Sequence, residues 1–218
     1  MKKCKDKIKK ELSIMLIIGA IGPIGSGKDT VLQIIFENFD FEIISIGDLV
    51  RDLTRERGLG CTRENLQQTS LMYFSKYGRD FFPKKVIEII EKNGYENVCI
   101  SGIRTCTDVE VLKNHYDNKF FLIYVRADKN IRFNRLKNRN EERDPKNFNE
   151  FLIQDLNEEK FQFSEAIQLS DYTIDNKGSL EDLKNDVYRM IRNDTLFNGL
   201  EKTNKGICYL GGAVYENL

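Results

Sequence analysis

The chain has 218 residues, of which 40% are hydrophobic, 34 are basic and 34 are acidic, and it contains five cysteines and one histidine. This length predicts a single domain with a buried core, and the balanced charge argues against a general nucleic-acid or membrane-surface binder. The odd number of widely spaced cysteines and the single histidine argue against a disulfide framework or a zinc site.

The chain begins with a basic segment, residues 1–13, which has six lysines in its first ten positions and is predicted to be a solvated arm. The apolar run Ile14–Ile21 follows, and it is too short to span a bilayer. Because the run leads directly into a glycine-rich loop, we interpret it as a buried strand and not as the apolar core of a signal peptide. The protein is therefore expected to be cytoplasmic.

Short apolar runs alternate with longer helical patterns along the chain. The runs are mostly β-branched or aromatic, as is typical of strands buried on both faces of a parallel sheet. The predicted strands are Ile14–Ala20, Phe41–Ser45, Asn97–Ser101, Phe120–Val125 and Asp171–Ile174. The predicted helices are Lys28–Asn38, Asp48–Arg57, Arg63–Tyr77, Pro83–Lys92, Thr107–Tyr116, Lys129–Asn138, Phe148–Leu169 and Ser179–Ile191. This alternation predicts an α/β fold with a five-stranded parallel sheet between two layers of helices.

The segment between the second and third predicted strands is longer than one crossover helix requires. Residues 46–96 carry three helical patterns, which predicts a small helical insertion. Residues 14–193 would then form one domain with this insertion inside it. Residues 194–218 lose the periodicity and are predicted to be a C-terminal extension.

The most specific motif is a glycine-rich loop between the first predicted strand and the first predicted helix. It fits the pattern G-x-x-x-x-G-K, in which glycines let the backbone turn its amides inward and a lysine adds a full positive charge beside a helix N-terminus. Such a P-loop binds the β- and γ-phosphates of a nucleotide, and the lysine is a candidate catalytic residue. The predicted ATP-binding residues are Gly22, Gly25, Ser26, Gly27, Lys28, Asp29 and Thr30.

One position of this loop departs from the usual pattern. The residue after Lys28 is normally Ser or Thr, whose hydroxyl binds Mg²⁺, and here it is Asp29. Thr30 comes one position later and points about 100° away on a helix. Asp29 is a candidate Mg²⁺ ligand, directly or through water, because this ion prefers oxygen ligands. The alternative is that Asp29 only stabilises the positive end of the helix.

A second motif, Ile44-Ser-Ile-Gly-Asp-Leu-Val-Arg51, resembles the ISxGDLxR segment of nucleoside monophosphate kinases of the adenylate-kinase type. The resemblance implies that the arginine holds the phosphate of the acceptor. A third stretch, Asn97–Arg104, resembles the strand that ends in Asp-x-Arg in relatives, although Ser101 and Gly102 replace its acidic residue. The residues that the resemblance assigns to the acceptor are Ser45, Gly47, Arg51 and Arg104.

Residues 126–147 resemble the lid of these kinases, whose arginines close over the transferring phosphoryl group. This segment contains Arg126, Arg132, Arg135, Arg139 and Arg143. Arg135 and Arg139 are four positions apart and share one helix face, so the resemblance makes them candidate catalytic residues. The stretch that starts at Asp171 resembles the last strand and following turn of dephospho-coenzyme A kinases, where the turn lies beside the adenine of ATP.

Together these resemblances imply transfer of the γ-phosphoryl group of ATP, with Mg²⁺, to a nucleoside or deoxynucleoside monophosphate. A dephospho-coenzyme A kinase or another small-molecule kinase is an alternative, in which Asp48 would act as the general base toward a hydroxyl acceptor. A nucleotide-binding sensor is a third reading, because Asp29 and the missing acidic residue both depart from a catalytic site. The expected partners are small nucleotides, with no nucleic acid and no membrane, and the oligomeric state stays open.

Overall fold

The computed structural model describes residues 15–141, 144–159 and 163–193. Within them, five strands form one parallel sheet with the order β2-β3-β1-β4-β5. The strands are β1 (Leu16–Ile21), β2 (Glu42–Ser45), β3 (Asn97–Ser101), β4 (Phe120–Arg126) and β5 (Tyr172–Asp175). Because the strands are parallel, all their carboxyl ends lie at one edge of the sheet, where ligands bind in open α/β folds.

Nine α-helices connect or follow these strands in the described residues. They are α1 (Lys28–Asn38), α2 (Ile46–Glu56), α3 (Arg63–Tyr77), α4 (Phe81–Asn93), α5 (Cys106–Tyr116), α6 (Lys129–Arg139), α7 (Phe148–Glu159), α8 (Phe163–Gln168) and α9 (Leu180–Asn193). No helix in this part of the chain combines the length and the apolar character needed to traverse a bilayer.

The two faces of the sheet are covered by different helices. Ile18 and Ala20 of β1 pack in one buried cluster with α1 and α9. Ile17 and Ile21 point to the other face and pack with α2, α4, α5 and α8. A strand buried on both sides has no polar face, which is why β1 reads as a continuous apolar run. The result is a three-layer α/β/α arrangement.

The predicted elements agree closely with the structure. All five strands and the helices Lys28–Asn38 and Arg63–Tyr77 are confirmed, and most other boundaries shift by one or two residues. The helix predicted for Phe148–Leu169 is represented in the described residues by α7 (Phe148–Glu159) and α8 (Phe163–Gln168), and residues 160–162 lie outside them. The predicted arm (residues 1–13), the predicted extension (residues 194–218) and Arg143 lie outside the described residues.

The segment between β2 and β3 contains three helices, α2, α3 and α4. A buried hydrogen bond of 3.0 Å, from the Thr54 hydroxyl to the Thr69 hydroxyl, connects α2 to α3. Arg57 also donates to Thr69. The hydroxyl of Thr62 accepts from the amide of Asn65 and so caps α3. This helical segment begins at the carboxyl edge of the sheet, beside Gly102, which follows β3.

Candidate functional site

The loop that joins β1 to α1 has the backbone of a phosphate-binding loop. Gly25 and Gly27 have φ values of 76° and 91°, in the left-handed region that glycine adopts without steric cost. The Ser26 amide donates to the carbonyl of Pro23 at 3.0 Å, which closes the turn. Left-handed residues within such a turn produce the type of backbone concavity that binds anions, and Lys28 is the first residue of α1.

A buried ion pair supports this loop from behind. The Arg132 guanidinium of α6 donates two hydrogen bonds to the Asp155 carboxylate of α7, at 2.7 and 3.0 Å, and it also donates to the carbonyl of Ile24 at 3.1 Å. It lies 5.0 Å from the centre of the Phe151 ring, and only 3% of Arg132 is exposed. Arg132 belongs to the predicted lid segment, but its charge faces the back of the loop.

Two further side chains fix the carbonyl of Ser26. The Asn176 side-chain amide, directly after β5, donates to it at 2.8 Å, and Arg135 donates to it at 3.3 Å. Arg135 also donates to the Asn176 side-chain oxygen at 2.9 Å. Burial lowers the pKa of the Arg135 guanidinium from its ordinary value. Sequence reasoning gives Asn176 no role of its own, although the residue lies in the stretch from Asp171 that resembles the turn beside the adenine of ATP.

The first prediction concerns Gly27, which we expect to tolerate no side chain. In Gly27→Ala the new Cβ would overlap the Asn176 side-chain nitrogen, and the positive φ adds roughly 1–2 kcal/mol of strain. The affinity for ATP, measured by isothermal titration calorimetry, is expected to fall. Gly60→Ala is the matched control, because a Cβ at Gly60 meets no atom within 4 Å and its φ is not positive. Equal ATP affinity in the two variants would contradict the role of this turn.

The residue after the loop lysine contacts the end of another strand. The Ser101 hydroxyl, at the end of β3, donates to the Asp29 carboxylate at 2.6 Å. Asp29 is exposed in the first turn of α1, and Ser101 is half-buried. Thr30 is also exposed in this turn. The contact joins the first turn of α1 to the end of β3.

The segment predicted to bind the acceptor lies beside the end of β3. Gly102 has a φ of 85°, and a Cβ there would come within 3.1 Å of the Gly47 amide nitrogen, so the two backbones are packed together. The Ser45 hydroxyl accepts from the Asp48 amide at 3.2 Å and caps α2. The Arg51 guanidinium is held by Asp48, to which its Nε donates at 2.9 Å.

The other predicted arginines have different surroundings. The Arg104 side chain is exposed, and its backbone amide donates to the buried Asp108 carboxylate at 3.1 Å. Burial raises the pKa of Asp108. Arg139 donates to Asp144 through Nε at 3.0 Å, and this hydrogen bond raises the pKa of Arg139.

The structure brings some of the predicted site residues together and gives others partners of their own. Lys28 and Asp29 share the first turn of α1, and Asp29 is linked through Ser101 to the packed backbones of Gly47 and Gly102. Arg135 contacts the P-loop itself. Arg139 is engaged with Asp144, and Arg126, at the end of β4, pairs with Asp175.

Comparison with known proteins places the chain in a family. Residues 21–151 match the family described as an AAA domain. A UPF0200 protein of Methanocaldococcus jannaschii is 33% identical over 193 residues, which cover 88% of this chain and 95% of that protein. The chain belongs to the UPF0200 family. Another UPF0200 protein, from Methanothermobacter thermautotrophicus, is 32% identical over 82% of this chain and 90% of its own length.

Solved kinase structures share the fold of this UPF0200 family member. Shikimate kinase from Acinetobacter baumannii, in complex with shikimate, has a TM-score of 0.52 and 18% identity over 86% of this chain and 98% of its own. An unliganded sugar kinase from Janibacter has a TM-score of 0.51 and 14% identity over 82% of this chain and 95% of its own. At these identities the likeness concerns the fold alone. Together with the family match, it confirms the three-layer α/β/α P-loop NTPase fold.

Proposed function

We propose that this protein is an ATP-dependent phosphotransferase that moves the γ-phosphoryl group to a nucleoside or deoxynucleoside monophosphate. The observation that carries the proposal is a continuous row of contacts at the carboxyl edge of the sheet. Asp29 of α1 is hydrogen-bonded to Ser101, the last residue of β3. The next residue, Gly102, packs against Gly47, which lies beside the guanidinium of Arg51. A donor site and an acceptor site that adjoin in this way are what a phosphotransferase requires.

Phosphoryl transfer depends mainly on positioning and on positive charge around the phosphate oxygens. Lys28 supplies a charge at the N-terminus of α1, and the P-loop is held in place by hydrogen bonds to its carbonyls from Arg132, Arg135 and Asn176. Bound Mg²⁺ would neutralise part of the developing charge on these oxygens. Asp29 and Ser101 present the carboxylate and hydroxyl oxygens that this ion prefers.

The acceptor side favours a substrate that already carries a phosphate. Arg51 can form bidentate hydrogen bonds with phosphate oxygens, and Arg104 lies two residues beyond Gly102 with an exposed side chain. Asp48 is paired with Arg51, so its carboxylate is engaged in holding the arginine. A carboxylate engaged in this way is better placed to orient Arg51 than to remove a proton from a hydroxyl group.

A substitution at Asp48 separates the phosphate acceptor from the hydroxyl acceptor. With a nucleoside monophosphate, Asp48→Asn should reduce kcat only slightly, because no proton has to be removed from an ionised phosphate. With a hydroxyl acceptor such as dephospho-coenzyme A, loss of a general base should reduce kcat by roughly 10² or more. Rates of ADP release measure both cases.

Asp52→Asn is the matched control for this experiment. Asp52 forms an ion pair with Arg55 at the same three-residue spacing in the same helix, and both side chains are exposed. A hundredfold loss in Asp48→Asn with a nucleoside monophosphate, but not in Asp52→Asn, would overturn the assignment of Asp48 as an orienting residue.

The proposal as a whole is tested by screening acceptors. ADP release from ATP and Mg²⁺ is measured with every ribo- and deoxyribonucleoside monophosphate and with dephospho-coenzyme A. Turnover with one or more monophosphates is the expected result. Turnover with dephospho-coenzyme A alone would establish the hydroxyl-acceptor alternative. Tight ATP binding without turnover on any acceptor would favour a nucleotide sensor and contradict the proposal.

A further inference from the structure

Asp29 and Ser101 are 72 positions apart in sequence and form a hydrogen bond of 2.6 Å. Asp29 follows the P-loop lysine, and Ser101 is the last residue of β3. In P-loop NTPases generally, Mg²⁺ is held by a Ser or Thr after that lysine and by an Asp on a neighbouring strand. In this chain the carboxylate of Asp29 occupies the position of the usual Ser or Thr hydroxyl. The hydroxyl of Ser101 occupies the position of the usual Asp carboxylate.

We propose that Asp29 and Ser101 form an exchanged magnesium-binding pair, in which the P-loop helix supplies the charged oxygen and the strand supplies the neutral one. The inference rests on the proposed function, since the ion would be bound together with ATP. It goes further by assigning metal binding to Ser101. It also explains with one exchange why Asp29 replaces the usual Ser or Thr and why Ser101 replaces the usual acidic residue.

The chemistry of the two side chains fits such a pair. Magnesium sites of nucleotide enzymes use one or two carboxylates together with the phosphate oxygens of the substrate, and not a cage built by the protein alone. In agreement, the described residues contain no group of three or more His, Cys, Asp or Glu that could hold a metal ion. A single carboxylate beside a hydroxyl, at the edge of the phosphate-binding loop, is the donor set that this mode of binding requires.

The positions of the two residues also suit a fixed pair. β3 lies between β1 and β2, and its last residue is paired in register with Ser45 of β2, so Ser101 is held by the sheet. The negative charge of Asp29 lies in the first turn of α1, where the helix dipole stabilises an anion. Moving the carboxylate from the strand to the helix therefore keeps a charged oxygen beside the phosphate site at low cost.

The reciprocal exchange of the two residues tests the pair. Binding of the non-hydrolysable nucleotide AMPPNP is measured by calorimetry with Mg²⁺ and with EDTA, and Mn²⁺ bound in the presence of AMPPNP is counted by electron paramagnetic resonance. Asp29→Ser should weaken Mn²⁺ binding by about 10- to 100-fold, the range found when the partners of metal ligands are removed. The double variant Asp29→Ser, Ser101→Asp should recover most of that loss. It again has one carboxylate and one hydroxyl, with the hydroxyl on the helix and the carboxylate on the strand.

Asp186→Ser is the matched control, because it removes a carboxylate that pairs with Arg189 on α9, outside the site. It should bind Mn²⁺ and AMPPNP like the wild type. If the double variant does not fold, Ser101→Ala and Ser101→Thr decide the question. Only the alanine variant should lose Mn²⁺ affinity, because threonine retains the hydroxyl group.

The outcomes separate this inference from the proposed function. If the wild type binds AMPPNP and Mg²⁺ does not change the affinity, the exchanged pair is wrong and nucleotide binding stands. The same conclusion follows if Asp29→Ser retains the Mg²⁺ effect, or if a folded double variant binds Mn²⁺ no better than Asp29→Ser. If the wild type binds no AMPPNP under either condition, the proposed function itself fails.

Discussion

Lys28→Ala is expected to slow phosphoryl transfer by roughly 10²- to 10³-fold while leaving the fold intact. Lys28 is the first residue of α1, directly after the P-loop glycines, and its side chain supplies a full positive charge. Removing one preorganised group that stabilises transition-state charge costs a factor of roughly 10² to 10³ in kcat. The measurement is kcat for ADP release with the best acceptor, together with the affinity for ATP.

Lys85→Ala is the matched control for the P-loop lysine. Lys85 is exposed on α4, where it forms an ion pair with Glu88, and it is therefore expected to be dispensable for turnover. Undiminished turnover in Lys28→Ala would show that the observed reaction occurs at another site or comes from a contaminating enzyme. A comparable loss in both lysine variants would indicate a general effect of charge and not a specific one.

Asp155→Ala is expected to destabilise the protein more than other single substitutions at ion pairs. The guanidinium of Arg132 is 4% exposed, and Asp155 accepts two of its hydrogen bonds. Removing one partner of a buried pair leaves an uncompensated charge, which costs about 3–5 kcal/mol. The free energy of unfolding, obtained from urea denaturation, should fall by this amount.

The same variant should also weaken nucleotide binding, because Arg132 holds the carbonyl of Ile24 in the P-loop. Asp186→Ala is the control, since it breaks an exposed ion pair with Arg189 and should cost about 0–1 kcal/mol. A loss below about 1 kcal/mol in Asp155→Ala would show that the Arg132 charge finds other compensation.

Much of the fold could be predicted from the sequence, because its signals are local. The apolar runs that became β1, β3 and β4 are mostly buried, as expected for the inner strands of a parallel sheet covered on both faces. The P-loop was also visible, since the geometry of Gly25 and Gly27 depends on a spacing within one short segment.

The supports of the site could not be predicted, because they join residues that are far apart in sequence. Arg132 reaches a carbonyl 108 positions earlier, and Asn176 reaches one 150 positions earlier. A basic residue on a helix looks the same in the sequence whether it faces solvent, a substrate or the back of a loop. The resemblance placed Arg132 among the lid arginines, and tertiary packing gave it a structural role.

The bond between Asn176 and Ser26 has a consequence for synthesis on the ribosome. β1 and the phosphate loop emerge early, but the carboxamide that fixes the loop is translated some 150 residues later. A nascent chain that ends before β5 has the complete glycine motif and lacks one of the side chains that hold the loop. The set of contacts that holds the loop is therefore complete only late in translation, when the final strand docks beside β4.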